Sequence, residues 1–226
     1  MSSIYEKALG DKFRKLHPMI QEKFQLFSAD HQALICKGTM DEISGGRWFM
    51  RPFIKMGIKK NVTFPERGNG IPFKLEKYAF IDPFGRETVS WIRTFHFKNA
   101  DRHFDATMVY SEKGKGILDY LGNSQASPVG IDLDVTETGG IRMKSSQQHF
   151  HLGKRRLSLP SKMVGQATVR EEFDENKNWF LIDVTVKNAV FGTIFRYKGH
   201  FRMEVVPMPA EEIPAYAFPI KFDARE

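Results

Sequence analysis

The sequence predicts a mainly β protein, an antiparallel meander of about ten strands that closes into a barrel behind short N-terminal helices. Three observations predict it. From Ala33 onward apolar and polar residues alternate with period two, the spacing of a strand buried on one face. Compact turn sequences interrupt that alternation at short intervals. No helical pattern lies between the strands, which argues against a parallel sheet. A meander of this length keeps two unpaired edges unless it closes on itself. A closed barrel of about ten strands is wide enough to leave a cavity, so the expected form is calycin-like.

The elements follow in order. Phe13, Leu16, Ile20, Phe24 and Phe27 recur at spacings of three and four, one face of a helix. His17-Pro18 breaks that run, because proline disfavours helical geometry in the residue before it. Two short helices, about 3–9 and 18–26, are predicted. Strands are predicted at 33–43, 73–82, 86–98, 103–111, 116–121, 129–136, 140–151, 165–173, 178–187 and 193–206. Asp82-Pro83-Phe84-Gly85 places proline and glycine as a type I turn requires. Lys113-Gly114-Lys115-Gly116, Thr138-Gly139-Gly140 and Asp174 to Asn178 read as hairpin connections. One insertion, about 47–60, reads as a short helical lid. Trp48, Phe49, Met50, Phe53, Ile54, Met56 and Ile58 form its apolar side, and Arg47, Arg51, Lys55 and Lys59 make a basic stripe at every fourth residue. Pro207, Pro209, Pro214 and Pro219 make the tail too proline-rich for regular structure. The chain 1–226 therefore reads as a single domain: a helical segment 1–30, a barrel 31–206 and an extended strap 207–226.

Composition bounds the function. Phe occurs 20 times against 6 Tyr and 3 Trp, which suggests a large apolar interior, since Phe brings no hydroxyl needing a partner. Lys and Arg total 34 and Asp and Glu 27, a net +7 that favours anionic partners. Cys36 is the sole cysteine, so no intramolecular disulfide is possible. The N-terminus lacks an apolar signal core and no stretch approaches the length of a membrane span. The expectation is a cytoplasmic protein.

Few recognisable chemical motifs survive scrutiny. His149-Phe150-His151 would place two imidazoles on one strand face, as a metal site needs. The carboxylate of the corresponding cupin motif is replaced by Gly153, Lys154, Arg155 and Arg156, which repel a cation, so no metal is expected. Gly114-Lys115-Gly116 sits in a turn, and Asp119 stands where a dinucleotide fingerprint needs its third glycine. No cofactor is expected. Arg196, Lys198, His200 and Arg202 share one face of the last strand, but its aromatics alternate onto the other face, so bases have nothing to stack on. Nucleic acid is therefore not the expected partner.

Polar residues on apolar strand faces are more informative. Arg93 shares a face with Val89, Trp91, Phe95 and Phe97. Tyr110 goes with Phe104, Ala106 and Met108; Gln147 and His149 go with Ile141 and Met143. Glu171 aligns with Ala167, Val169 and Phe173, and Tyr197 with Phe195, Phe201, Met203 and Val205. If those faces point inward, Arg93 either pairs with Glu171 or awaits a ligand carboxylate. If these residues lie near strand ends, they reach solvent instead.

Ile81 to Arg93 (Ile-Asp-Pro-Phe-Gly-Arg-Glu-Thr-Val-Ser-Trp-Ile-Arg), Phe104 to Glu112, Ile117 to Gly122 and Phe191 to Phe201 together resemble an uncharacterised bacterial family of unknown function. The resemblance spans most of the chain, including its opening Ile-Tyr-Glu-Lys-Ala-Leu-Gly. Members of that family also occur C-terminal to saccharopine-dehydrogenase-like domains, which implies work beside a redox enzyme. The resemblance carries no catalytic residues over.

Three readings follow. In the first, the barrel binds a small, hydrophobic or amphipathic anion, with Arg93, Tyr110, Gln147, Tyr197 and Trp91 lining the site. In the second, it is a cofactor-free acid/base enzyme, an isomerase, lyase or decarboxylase, with Glu171 or His149 as base. In the third, a packed barrel meets an anionic membrane surface through Arg47, Arg51, Lys55 and Lys59.

Overall fold

Helix α1 (Ile4–Leu9) and helix α2 (Pro18–Phe24) precede twelve strands. These are β1 (Gln32–Ser44), β2 (Ile71–Ile81), β3 (Glu87–Phe97), β4 (Ala100–His103), β5 (Ala106–Ser111) and β6 (Gly116–Leu121), then β7 (Pro128–Val135), β8 (Ile141–Leu152), β9 (Arg155–Ser158), β10 (Gly165–Asp174), β11 (Trp179–Asn188) and β12 (Gly192–Pro207). The computed structural model describes residues 2–46, 48, 54–55, 57–125, 128–152, 155–158 and 165–224, and only the backbone along 146–152 and 155–158.

Ten strands close a barrel. The order β1-β2-β3-β5-β6-β7-β8-β10-β11-β12 runs antiparallel throughout, and β12 returns to pair with β1 from Gln32↔Pro207 to Ser44↔Arg196. The two remaining strands are side pieces: β4 pairs with β3, and β9 folds back on β8. β1 and β12 pass so closely that a Cβ added to Gly38 would lie 2.0 Å from the His200 carbonyl oxygen, and one added to Gly199 2.2 Å from that of Thr39. Only glycine fits there.

The turns form for the reasons the sequence gives. The Asp82 carboxylate accepts the N–H groups of Phe84 (2.9 Å) and Arg86 (3.0 Å), and Gly85 takes φ +77°. Gly139, at φ +76°, closes the β7–β8 turn, and its carbonyl accepts the His17 N–H at 2.7 Å. The predicted strand 103–111 is divided. At its break the Asp105 carboxylate accepts the Arg93 N–H at 3.1 Å and Asn61 Nδ2 at 2.6 Å. A side chain there takes over the role of a neighbouring backbone carbonyl. β9 went unpredicted because Arg155-Arg156-Leu157-Ser158 shows no alternation. Of the predicted lid, residues 47, 49–53 and 56 lie outside the described residues; Ile54 is buried, Lys55 and Lys59 are exposed, and Ile58–Lys60 form a 3₁₀ turn.

The helices plug one end of the barrel. Ser3 caps α1 in a reciprocal arrangement with Glu6, and Pro18 opens α2 behind the cap of His17. Ser3 Oγ donates to the Phe24 carbonyl at 2.8 Å, which ties the helices together. Tyr5, Phe13, Leu16, Ile20 and Phe24 are buried in the same core as the strands' inward faces. At the other end Phe64 packs on Phe95, Phe97 and Phe195, with ring centroids 4.9–5.6 Å apart. The tail runs over the outside of β2 and β3, where Phe218 meets Phe80 at 4.7 Å and Ala217 packs against Tyr78 and Ile92. That cover leaves Thr88 to Phe95 buried on both faces of β3. Among the described residues, no helix is long and apolar enough to cross a membrane.

Candidate functional site

Pairing fixes which side chains share the interior. Lys77 faces Trp91, Leu75 faces Arg93, Met108 faces Asp119 and Glu171 faces Ile182, all on the buried parity of their strands. From the helices come Tyr5 and Lys23. The interior is thus not the purely apolar hollow that the Phe count suggests. Lys23, Lys77, Arg93, Asp119 and Glu171 are all buried in it.

In the half nearest the helices the charges are partnered. Lys23 Nζ forms an ion pair with Glu171 Oε2, both side chains fully buried. The same ammonium lies 4.7 Å from the Trp91 ring centroid and 4.9 Å from that of Phe201. Lys77 Nζ donates to the Lys23 carbonyl at 2.6 Å and lies 4.6–5.2 Å from the rings of Phe24, Trp91 and Tyr5. Burial, and then the neighbouring Lys23, hold the Lys77 amine well below its ordinary pKa. Trp91 Nε1 donates to Tyr5 Oη at 2.8 Å, and that hydroxyl in turn donates to Met108 Sδ at 3.2 Å. Burial raises Tyr5 well above the usual tyrosine value. It also pushes the Cys36 thiol up to about 11, so this cysteine is an inert core residue.

The central layer is different. The Arg93 guanidinium stacks on Phe104 with its carbon 4.3 Å from the ring centroid, and Nη1 donates to Tyr197 Oη at 3.3 Å. Among the described residues Arg93 Nε and Asp119 Oδ1 have no hydrogen-bond partner, nor has Oε1 of the Lys23-paired Glu171, although all three atoms are buried. Desolvation raises Asp119 to about 7, against the opposing pull of Arg93. Arg93 and Asp119 keep 4 % and 7 % of their surfaces accessible despite pointing inward in mid-strand. One donor and two acceptors in the interior therefore keep unused bonding capacity, each a costly state at low dielectric.

The predicted site residues divide accordingly. Arg93, Tyr197 and Trp91 lie together, with the Arg93 guanidinium carbon 5.9 Å from the Trp91 ring centroid. Glu171 is inward but held by Lys23, and no hydrogen bond or ion pair joins it to Arg93 among the described contacts. Its role as a free general base has no support in that pairing. Tyr110 is only half-buried and lies toward the helices, with Lys7 Nζ 5.7 Å from its ring centroid. The side chains of Gln147 and His149 lie outside the described residues. The backbone register slips between Ile131↔Ser145 and Val129↔Gln148, so alternation counted from Ile141 and Met143 does not carry across to them. Asp119, Lys77, Lys23 and Tyr5 were missed. Parity alone marks Asp119, between Ile117 and Leu121, and Lys77, between Leu75 and Ala79. Nothing in the sequence tells how deeply α1 and α2 insert.

Outside the barrel, the basic row of β12 is largely neutralised. Arg196 pairs with Asp183 at 2.6 Å, Lys198 with Glu42 at 3.2 Å and His200 with Asp41 at 3.2 Å. A rim cleft of about 480 Å³ between the helices and β1 is lined by Glu6, Glu22 and Asp30, the wrong sign for an anion. No group of three or more potential metal ligands occurs among the described residues.

Comparison with known proteins adds two findings. A family described as a domain of unknown function, DUF4166, matches residues 16–201, a span that holds every interior charged residue named above. An uncharacterized protein of Bacillus subtilis (strain 168), YndH, is 37% identical over 204 residues, covering 90% of this chain and 98% of the relative.

Proposed function

The chain belongs to the DUF4166 family, and we propose that its barrel binds a small amphipathic anion, held at its charged end by Arg93. The observation that supports this reading is the buried, unpartnered Nε donor of Arg93 on an inward face of an otherwise largely aromatic and aliphatic interior. A carboxylate accepts from a guanidinium fork in plane, and Phe104 and Tyr197 hold that fork in position. Trp91, Leu75, Ala106 and Phe195 supply apolar surface beside it. Since Lys23 is already compensated by Glu171, an added anion has Arg93 as its natural counter-ion.

The test is isothermal titration of delipidated protein with decanoate, decanol and decylamine, three probes of one chain length and different charge. Decanoate is expected to bind at one per chain, decanol more weakly, and decylamine not at all. Arg93→Ala, shown folded by circular dichroism, is expected to lose decanoate binding by about 10- to 100-fold, the worth of one buried charge-assisted hydrogen bond. Equal binding of decanoate and decylamine, or binding untouched by Arg93→Ala, refutes the reading.

A further inference from the structure

We infer that the anion enters this barrel together with a proton, which Asp119 accepts, so that Arg93 is never shared between two carboxylates. The inference rests on the binding reading above and adds its regulation.

Most of the charge in the interior is already matched. Lys23 is matched by Glu171. Lys77 is spent on the Lys23 carbonyl and three aromatic faces. Among the described side chains that leaves one cation, Arg93, and one acid, Asp119, two strands apart around the wall and joined by no hydrogen bond. Among the described residues, the groups facing Asp119 are few. Arg93 looks at it from β3 and Tyr5 from α1, while its partners on β5 and β7 are the apolar Met108 and Val129. Glu171 on β10 is the next acid, and Tyr5 and Tyr197 both feel its field.

An incoming carboxylate therefore enters a space where Arg93 already balances, at a distance, the charge of Asp119. Two carboxylates and one guanidinium in a desolvated space leave one negative charge uncompensated, which is far costlier than protonating one of them. The ligand lies against Arg93, so Asp119 takes the proton. The balance is R–COO⁻ + H⁺ + Arg93⁺/Asp119⁻ giving Arg93⁺···⁻OOC–R with Asp119 as a neutral acid. The new O–H becomes a donor, able to bond the second oxygen of the ligand. The raised position of Asp119, near neutrality before any ligand binds, places this exchange within the physiological range.

The experiment uses the protein with its whole chain and decanoate, which is ionised from about pH 6 upward. Titrations at pH 8 in phosphate and in Tris, buffers of different ionisation heat, are expected to show close to one proton taken up per decanoate. The dissociation constant is expected to change little between about pH 6 and 6.5 and to rise about tenfold per pH unit from 7.5 to 9. Asp119→Asn is expected to abolish that slope and to bind decanoate more tightly than wild type at pH 9. Infrared difference spectra of the wild type at pH 8 are expected to show a carboxylic-acid carbonyl band appearing with decanoate, a readout independent of the variant's folding. Arg93-dependent binding without proton uptake and with a pH-flat affinity overturns the coupling and leaves the binding reading standing. Absence of decanoate binding at any pH overturns both.

Discussion

Asp119 is a carboxylic acid whose burial moves it far from its ordinary range. In the folded protein its acid titrates near 7, whereas in the unfolded chain it titrates near 3.8. The unfolded state therefore releases its proton first as pH rises. The stability tied to the neutral acid is complete below about pH 4 and is lost progressively up to about pH 7. The gap corresponds to roughly 4 kcal/mol at the extreme, since each pKa unit is worth about 1.4 kcal/mol. Asp119→Asn removes the titration, so its stability relative to wild type is expected to improve by roughly 3 kcal/mol between pH 5 and pH 8, read from urea unfolding at each pH. A constant difference across that range contradicts the assignment. At this scale the sequence was partly legible. Arg93, Trp91 and Tyr197 stand out because each interrupts or enlarges an apolar face of fixed parity. Asp119 and Lys77 obey the same parity and were readable, but charged residues on short strands are more often solvated. Gln147 shows the limit of parity, because a bulge inside β8 changes the count and leaves no mark in composition.

The plug is the element that most shapes the interior, and its energetics turn on one latch. Lys23 reaches from α2 to Glu171 on β10, both out of water. Removing one partner of such a pair strands the other, whereas replacing both with apolar side chains does not. Lys23→Met is expected to cost about 3–5 kcal/mol in urea unfolding, and Lys23→Met with Glu171→Leu distinctly less than Lys23→Met alone. If the two substitutions prove simply additive, the pair is not acting as a unit. The helices themselves were legible from the spacing of Phe13, Leu16, Ile20 and Phe24 and from Pro18. Their destination was not, since an amphipathic helix shows which face is buried but not what buries it. The strands were read closely for a different reason: each hairpin is bounded by residues whose turn geometry admits few alternatives, such as Asp82 to Gly85. β4 separated from β5 because the Asp105 side chain entered the ladder, a tertiary event without a local signal.

For the molecule as a whole, closure was foreseeable because so long a meander has no stable way to keep its edges bare. The tail reads as a strap from its prolines, and it packs along the outer wall. It covers Tyr78, Phe80 and Ile92, which would otherwise form an apolar patch on the outer wall. Deleting residues 208–226 is expected to lower stability by roughly 3–6 kcal/mol, the burial of two or three large side chains, and to promote self-association visible by light scattering. An unchanged urea midpoint and a monodisperse product run against that role. A last consequence comes from the pairing of β1 with β12. The first strand to leave the ribosome is also the one that must wait for the final strand, so nearly the entire chain is made before Gln32 meets Pro207. Until then β1 offers one open side to any passing strand. Vectorial synthesis thus leaves this protein most vulnerable to chaperone capture or mispairing late, in the interval just before its last strand emerges.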